Sequence, residues 1–262
     1  MQERKDWNPE LYLRFRNERT QPSIDLVNRI RINRSPRNII DIGCGPGNSS
    51  QVLVERWPNA TLLGIDNSPK MIQKAKANYP RQNWMIADAS QFVSDIKYDI
   101  VFSNAAIQWI PNHEKLIPHL CDLLSDQGVL SVQVPDFLGT AIGKAIEKIA
   151  RKPRWKKQVG NCSRLFTYNG YCVYYDLLSE RLTSIEMWET HYLHVLDSWR
   201  AIIEWIKGSA MKPYLSSLSN ESEQAKFEQE VLCEIEKDYP LREDGKVLFP
   251  FKRLFMIGRN NL

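Results

Sequence analysis

A glycine-rich turn at residues 39–50 carries the residue pattern that is most directly tied to chemistry. Its sequence, IIDIGCGPGNSS, consists of an apolar strand, three glycines at alternate positions and the polar start of a helix. Glycine has no Cβ, so a ligand can approach the main chain closely. Because open α/β sheets bind ligands at the carboxyl ends of their strands, the pattern predicts a cradle for a nucleotide-type cofactor.

The spacing of the glycines separates the cofactor classes. A dinucleotide site has Gly-x-Gly-x-x-Gly, and a phosphate-binding P-loop has Lys and then Ser or Thr after its last glycine. Here Gly47 comes one residue too early for the first pattern, and Asn48 replaces the lysine of the second. Asp41 would repel a pyrophosphate and suits a ligand with positive charge and an amino group. The alternative is a strand-to-helix turn that binds no ligand.

The glycine loop resembles motif I of class I S-adenosylmethionine (SAM) methyltransferases, whose cofactor carries a sulfonium and an ammonium group. Asp66 ends the next strand, about 20 residues after the loop, where a carboxylate can accept hydrogen bonds from both ribose hydroxyls. The resemblance places the adenine amino group near Asp88 and the transferred methyl group near Gln108 and Trp109. The cofactor-binding residues expected on these grounds are Asp41, Gly43, Cys44, Gly45, Gly47, Asn48, Asp66, Asn67, Met71, Asp88, Ala89 and Asn104.

Strands alternate with helices along most of the chain, which indicates right-handed βαβ units and a parallel sheet. Strands are predicted at 38–42, 61–65, 83–87, 98–102, 128–134, 184–192 and 247–258, and helices near 48–57, 68–78, 113–124, 139–150, 197–207 and 220–238. We predict an α/β, Rossmann-like class I methyltransferase fold: a mainly parallel seven-stranded sheet with helices on both faces and a helical lid subdomain. The expected division is an N-terminal helical lid segment at 1–35, a SAM-binding core at 36–136, and a substrate and lid region with the completing strands at 137–262.

Composition limits the classes of function. The chain has 262 residues, of which 43% are hydrophobic and 25% charged, and its net charge of +4 is too small to indicate nucleic-acid binding. Its five cysteines form no Cys-x-x-Cys pair and indicate reduced thiols in a cytoplasmic protein. We expect no signal peptide and no membrane span, because no apolar run reaches roughly 18 residues. The oligomeric state stays open, and a monomer is compatible with the sequence.

The histidines predict no metal site. His113 and His119 are not spaced as a metal-binding pair, and His191 and His194 lie an odd number of positions apart on a predicted strand, so they face opposite sides.

The basic stretch 151–157, RKPRWKK, has two interpretations. It could bind phosphates and stack a base on its tryptophan, but without a second basic patch we expect a solvated loop after a helix.

Longer segments resemble one family, the trans-aconitate 2-methyltransferases. The most specific are DWNPxLYLxF at 6–15, followed by Glu18-Arg19, and NAxxQW at 104–109. Further similar segments are RWP at 56–58, GIDxSPxMI at 64–72, PHL at 118–120, QGVL at 127–130, YYD at 174–176, AIIxW at 201–205, YPL at 239–241 and RLF at 253–255. The chain departs from the family at 137–172 and at 207–213, where KGSAMKP replaces a Thr-Gly-Leu-Arg-Pro type of turn.

The resemblance implies methyl transfer from SAM to a carboxylate of a small polycarboxylic acid, most readily trans-aconitate, without a metal. A carboxylate is ionised at neutral pH and needs no general base, so Gln108 and Trp109 are expected beside the methyl group without a base role. Arginines suit the remaining carboxylates because their planar fork binds them bidentately. The substrate-binding residues expected are Tyr12, Arg19, Gln108, Trp109, Tyr174, His194, Trp205 and Arg253, with Tyr175 as a further candidate.

Three alternatives stay open at this point: another small acid as substrate, methylation of RNA or protein amines, and a SAM-binding protein without catalysis. Enzymes that methylate base amines resemble one another in an Asn/Asp-Pro-Pro-Tyr/Phe run after the fourth strand. This chain has Asn104-Ala105-Ala106-Ile107 there, which counts against an amine acceptor. A turnover assay separates an enzyme from a protein that only binds SAM.

Overall fold

The computed structural model describes residues 16–260. Its helices are α1 (Arg16–Arg29), α2 (Asn48–Arg56), α3 (Pro69–Asn78), α4 (His113–Asp122), α5 (Ala141–Ala150), α6 (Pro153–Val159), α7 (Gly170–Ser179), α8 (Trp199–Lys207), α9 (Lys212–Ser216) and α10 (Glu221–Ile235). Two short 3₁₀ helices span Ile107–Trp109 and Cys162–Leu165. The strands are β1 (Asn38–Ile42), β2 (Thr61–Asp66), β3 (Asn83–Ile86), β4 (Tyr98–Asn104), β5 (Leu124–Pro135), β6 (Ser184–Leu196) and β7 (Val247–Arg259).

The strands form one sheet in the order β3-β2-β1-β4-β5-β7-β6. Strands β1 to β5 pair in parallel, and β7 runs antiparallel to both β5 and β6. The prediction of a mainly parallel seven-stranded sheet is confirmed. The connectivity reverses beside β1, because the chain continues to β2 and β3 on one side and returns to β4 on the other. A reversal of this kind opens a crevice at the carboxyl edge of a sheet.

Helices cover both faces of this sheet, as predicted. Successive strand residues point to opposite faces, so Ile39 packs in a cluster with Leu26 of α1 and Leu53 of α2. Its neighbour Ile40 packs in another cluster with Leu116 of α4, and α7 contributes to that cluster as well. With both faces covered, the central parallel strands β1 and β4 are buried and largely apolar, which is what their sequences indicated.

A third apolar cluster joins the helices of the C-terminal half. Helices α5, α6, α8, α9 and α10 pack together with the first residues of β7. Its largest fully buried side chains include Trp155, Trp205, Tyr214, Phe227 and Phe249. Helix α8 brings Trp205 and Ile206 of this cluster to the wall of a cavity that the glycine loop also lines.

The basic stretch is not the solvated loop that the sequence suggested. Residues Pro153–Val159 form α6, and the Trp155 side chain is fully buried. Its indole Nε1 donates to Glu230 Oε1 at 3.0 Å, while Lys152 pairs with the same carboxylate at 2.7 Å. Because Trp155 is packed in the interior, it cannot stack on a base, so the nucleic-acid interpretation of this stretch loses its main support.

Other local predictions differ from the structure in small ways. Helices α7 and α9 were not predicted, because aromatic and serine-rich segments have no clear helical period. On β6 the prediction of opposite faces is confirmed, since His191 is exposed and His194 is buried. No helix within residues 16–260 is long and apolar enough to cross a membrane.

Candidate active site

The glycine loop leaves β1 as a tight turn whose geometry requires glycine. Gly43 has φ +70°, and a Cβ at this position would lie 2.2 Å from the Cβ of Ala106, in the loop after β4. Gly45 also has a positive φ, but a Cβ there would meet no atom within 4 Å. The first glycine therefore lets two loops approach each other, and the second leaves open space against the main chain.

Asp41 is fully buried at the end of β1 and holds the start of α2. Its Oδ2 accepts hydrogen bonds from the hydroxyls of Ser49 and Ser50, each at 2.6 Å. Burial raises the pKa of Asp41 from 3.8 to about 6, the two serines oppose this shift, and the charge of Asp66 adds to it. Asp41 does not line the cavity described below, so the sequence interpretation of a direct cofactor contact stays a prediction, and its position favours an indirect one.

Asp66 at the end of β2 joins the glycine loop to the start of α3. Its Oδ2 accepts from the backbone N–H of Gly45 at 3.0 Å, and its Oδ1 accepts from the N–H of Ser68 at 2.8 Å. Ser68 in turn caps α3, with its hydroxyl accepting from the N–H of Met71. A carboxylate has about four lone-pair positions, so Asp66 can hold both loops and still accept hydrogen bonds from a ligand.

The loop after β4 forms another wall of the site. Asn104 is nine-tenths buried, and its Oδ1 has no hydrogen-bond partner among residues 16–260. Gln108 donates from Nε2 to the carbonyl of Ala105 at 2.7 Å, and the ring of Trp109 packs against Phe166 with centroids 4.6 Å apart. The loop thus presents amide oxygens beside an aromatic surface.

These loops open into a cavity of about 1050 Å³. Ligand pockets are usually about 300–1,000 Å³, so this one has room for a nucleoside cofactor together with a small acid. Of the residues predicted from sequence, the cavity is lined by Arg19, Gly43, Cys44, Gly45, Asn48, Asp66, Asn67, Met71, Asp88, Ala89, Asn104, Gln108, Trp109, Trp205 and Arg253.

Charge divides this cavity into two halves. Its carboxylates, Asp66 and Asp88, follow β2 and β3 on the side of the glycine loop. Its cations are Arg19 of α1, Lys212 of α9 and Arg253 of β7. Arg253 lies beside Pro135 at the end of β5, four strands across the sheet from β2. We call these the carboxylate half and the cation half. Such a division suits a ligand with hydroxyls and positive charge on one side and a polyanion on the other.

The two arginines of the cation half are fixed by neighbouring groups. Arg19 donates from Nη2 to the carbonyl of Trp205 at 2.6 Å and lies 5.7 Å from its ring centroid. Arg253 is almost fully buried, donates to Gln133 Oε1 at 3.3 Å and lies 4.7 Å from the Phe251 ring centroid. A buried guanidinium held in place loses little conformational entropy when it binds a carboxylate.

Several predicted residues lie away from the cavity. Tyr174 is fully buried, its hydroxyl lies 2.8 Å from His113 Nδ1, and it does not line the cavity. Its role in substrate binding stays a prediction. His194 packs against the Trp205 ring at 4.4 Å, and burial followed by the charge of Arg253 lowers its pKa to about 4. Tyr175 is exposed on α7. Tyr12 lies outside the described residues.

Gly47 also does not line the cavity. It has φ +94°, and a Cβ there would lie 2.6 Å from the Tyr79 ring and 3.0 Å from Trp84. This third glycine therefore lets Tyr79 and Trp84 pack against the start of α2, and its contact with the cofactor stays a prediction.

Sequence reasoning missed a group of cavity residues in the cation half. They come from α1, from the residues after β5 and after the second 3₁₀ helix, from α9 and the residues around it, and from β7: Thr20, Ser23, Phe137, Phe166, Ser209, Lys212, Pro213, Ser216, Ser217 and Phe251. One signal was present, because the turn at 207–213 departs from the family pattern. The structure places part of that turn in the cavity wall.

Comparison with known proteins identifies the family. The methyltransferase-domain family matches residues 33–198. A trans-aconitate 2-methyltransferase from Enterobacter sp. (strain 638) is 37% identical over 254 residues, covering 97% of this chain and 98% of that protein. Proteins of the same name from Escherichia coli O139:H28 and Rhodopseudomonas palustris (strain BisA53) are 39% and 38% identical, again over 97% of this chain. The chain belongs to the trans-aconitate 2-methyltransferase family.

Solved structures agree on the fold. The YcgJ protein from Bacillus subtilis superposes with a TM-score of 0.60 at 13% identity, covering 92% of this chain and 99% of that one. Phosphoethanolamine N-methyltransferase 2 from Haemonchus contortus, solved with S-adenosyl-L-methionine, gives 0.61 at 14% identity, covering 97% of this chain and 57% of that one. The prediction of a class I methyltransferase fold in a SAM-dependent methyltransferase is confirmed.

The residues present fit SAM as the cofactor. The open space beside Gly45, the Asp66 carboxylate and the unpartnered Oδ1 of Asn104 together offer room and hydrogen-bond acceptors on the carboxylate half. Within residues 16–260, no group of three or more His, Cys, Asp or Glu side chains is arranged to hold a metal ion.

Proposed function

We propose that this protein transfers the methyl group of SAM to a carboxylate of trans-aconitate, giving a monomethyl ester. The observation that carries the proposal is the division of the cavity into a carboxylate half and a cation half. Arg19, Lys212 and Arg253 line the same cavity as the glycine loop, and an acid with several carboxylates needs such positive charges. The names of the relatives point to the same substrate.

This reaction requires the protein to align the two reactants and does not require it to transfer a proton. When bound, SAM supplies an electrophilic methyl group, which a carboxylate oxygen attacks as the bond from sulfur to the methyl carbon breaks. The acid is already ionised at neutral pH, so the site needs no general base. Alignment of two reactants can supply about 7–11 kcal/mol of the barrier reduction, and that is the work we assign to the cavity walls.

We assign the unreacting carboxylates of the substrate to Arg253 and Arg19. Arg253 comes from β7 and Arg19 from α1, so the two guanidinium groups approach the acid from different elements. Lys212, at the start of α9, supplies a further positive charge to the same half. A lysine is a point charge without the fixed fork of arginine, so it fits a carboxylate whose position varies among related acids.

Gln108 and Trp109 would form the wall beside the reacting groups. Gln108 Oε1 is buried and has no hydrogen-bond partner among the described residues, whereas its Nε2 is held by Ala105. Phe137, Phe166 and Phe251 add apolar surface around the same half. Such a surface excludes water, which favours a reaction that neutralises two opposite charges.

A different small acid is the second candidate. The turn at 207–213 departs from the family pattern, and Ser209, Ala210 and Lys212 of that turn line the cavity. If these residues contact the substrate, substitutions among them would change which acid is bound and leave the methyl-transfer reaction unchanged. An amine acceptor has less support, because the cation half would repel a protonated amine.

The test is methyl transfer from labelled SAM to a panel of trans-aconitate, cis-aconitate, citrate, isopropylmalate and a fatty acid, with tRNA and bulk protein as further acceptors. We expect base-labile label, the signature of a methyl ester, on trans-aconitate. Label on another acid alone would move the specificity to the second candidate. Label on tRNA or protein, or none despite SAM binding, would overturn the carboxylate proposal.

We also propose a reducing, cytoplasmic setting for this activity. All five cysteines are free thiols. Burial raises the pKa of Cys44 and Cys162, and raises that of Cys121 to about 12, so these thiols are poor nucleophiles. Immunodetection in cell fractions would test the location, and recovery with periplasmic or secreted proteins would contradict it.

A further inference from the structure

The turn that carries Gln108 and Trp109 is held in a strained conformation. Among residues 16–260, Ala105 and Asn112 are the non-glycine residues with positive φ, at 53° and 58°. Both flank the 3₁₀ helix Ile107–Trp109. A left-handed backbone costs roughly 1–2 kcal/mol at a residue such as Ala105 and less at asparagine, and the strain persists only where the surroundings over-determine it. The surroundings of this turn therefore contain groups that hold it.

One such group is His113, the first residue of α4. Its ring is almost fully buried, and its Nε2 lies 2.9 Å from the carbonyl oxygen of Ile107. The N–H of Ile110 also donates to this oxygen, at 2.8 Å. Since a carbonyl can only accept, Nε2 must carry the proton, and the imidazole is fixed in one tautomer. Both lone pairs of the Ile107 oxygen are then in use.

Tyr174 completes this network from α7. Its hydroxyl lies 2.8 Å from His113 Nδ1, which has no proton in that tautomer, so the hydroxyl donates. Its ring is fully buried, and the two ring centroids are 5.5 Å apart. Burial lowers the pKa of His113, and the bonds to Ile107 and Ile110 only partly oppose this. The imidazole is therefore neutral at pH 7, as the network requires.

The segment that leads into α7 supports the turn from the same side. The N–H of Thr167 donates to the carbonyl of Gln108 at 2.8 Å, and Phe166 packs against Trp109. From the sheet, the carbonyl of Gln133 accepts from the N–H of Ala105 at 3.0 Å. The turn is thus fixed at three backbone positions, 105, 107 and 108, around the two side chains that line the cavity.

We propose that His113 and Tyr174 are positioning residues for methyl transfer: they hold the strained turn 105–112 so that Gln108 and Trp109 face the reacting groups. Neither side chain lines the cavity. Loss of the network would leave both binding halves in place and allow the turn to relax. The catalytic part of this inference rests on the proposed function. The existence of the network rests on hydrogen-bond geometry alone.

The variants are His113→Phe, His113→Gln and Tyr174→Phe. We expect His113→Phe to lower kcat about 10- to 100-fold, because a small displacement of Gln108 and Trp109 would misalign the reacting groups by that much. KM for the acid and Kd for SAM should change little. His113→Gln keeps a donor near the Ile107 oxygen and should restore part of kcat. Tyr174→Phe preserves the ring and should lower kcat less than His113→Phe does.

Two controls separate positioning from general damage. His119→Phe changes another histidine of α4, whose Nε2 has no hydrogen-bond partner among the described residues. Tyr239→Phe removes a buried hydroxyl that accepts from the N–H of Ile142 at 3.1 Å, away from the turn. Both should keep kcat per SAM-binding site, even if the second lowers the melting temperature.

A measurement that needs no turnover tests the network itself. Imidazole ¹⁵N shifts of His113 at pH 7 should report a proton on Nε2 and none on Nδ1. The opposite tautomer, or wild-type kcat per SAM-binding site in both His113→Phe and Tyr174→Phe, would overturn the inference. If no acid is methylated, the proposed function fails and with it the catalytic part, while the ¹⁵N measurement still decides whether the network exists.

Discussion

The two halves of the cavity are built in different ways. The carboxylate half comes from consecutive βα loops, so each of its residues follows a strand and belongs to a short motif. The cation half is assembled from α1, α9 and β7, whose cavity-lining cations Arg19, Lys212 and Arg253 are far apart in sequence. Cofactor binding is thus encoded locally, whereas the substrate site depends on how distant elements pack. The halves should therefore respond to mutation in different ways.

The largest expected effect lies in the carboxylate half, at Asp66. Asp66→Ala would remove a ligand acceptor and release the N–H groups of Gly45 and Ser68, which the carboxylate now holds. Loss of a charged acceptor with its partners left unpaired costs about 1.5–3 kcal/mol, so Kd for SAM should rise roughly 10- to 100-fold. Calorimetry measures this directly.

Asp88→Ala is the matched control. Asp88 is exposed, and its Oδ1 accepts hydrogen bonds from the N–H and the hydroxyl of Ser90. Its removal should weaken SAM binding less than removal of Asp66. Equal losses for the two variants would mean that the carboxylate half does not depend on the loop-holding role of Asp66.

The next effect lies in the cation half, at Arg253. Arg253→Ala should raise KM for the acid about tenfold or more, as expected for a lost charge-assisted hydrogen bond, with Kd for SAM nearly unchanged. That pattern is the signature of lost substrate binding. Arg253→Lys keeps the charge without the fork and should recover only part of the affinity. A parallel loss of SAM binding would show that the two halves are not independent.

This division also explains what the sequence could predict. Strands β1 to β5 and the loops after them could be predicted, although their order in the sheet could not. Apolar runs that end in residues such as Asp41, Asp66 and Asn104 mark them, because local patterns decide both strand ends and turn chemistry. Tyr174 was assigned to the substrate, but only tertiary packing reveals that its hydroxyl contacts His113. Lys212 was missed because its chemistry depends on where α9 lies, and no local spacing contains that information.

Lys212 gives a smaller prediction that tests the choice of acid. Lys212→Met should raise KM for a tricarboxylic acid a few-fold, consistent with about 0.5–1 kcal/mol for a partly exposed cation, and should affect a dicarboxylic acid less. Lys212→Arg should sharpen the preference among tricarboxylic acids, because the guanidinium has a fixed geometry. Steady-state kinetics with both acids measures it.

Lys207→Met is the control, since Lys207 pairs with Glu228 at 2.8 Å and does not line the cavity. If Lys212→Met changed KM for both acids equally, Lys212 would contribute only general attraction. The second candidate function, a different acid read by the turn at 207–213, would then lose its support.

The smallest expected effect concerns pH and Asp41. In the absence of ligand its pKa is about 6, against an ordinary 3.8, chiefly because of burial. The folded protein therefore keeps this proton between about pH 4 and 6, where the unfolded chain has released it. Stability falls as pH rises through that window, by roughly 3 kcal/mol in total above it. Asp41→Asn should thus raise the melting temperature more at pH 8 than at pH 4.

Asp99→Asn should show the opposite trend, which makes it a control for the sign. Burial alone would raise the pKa of Asp99, but bonds from the N–H groups of Arg37 and Asn38 and from Ser125, with the charge of Arg34, lower it. Its ionised form therefore stabilises the fold above its unfolded pKa.

Saturating SAM tests the role of Asp41 itself. An ionised carboxylate favours a cationic ligand, so the thermal shift on adding SAM at pH 8 should be larger for wild type than for Asp41→Asn. Equal shifts would restrict Asp41 to holding the serines of α2.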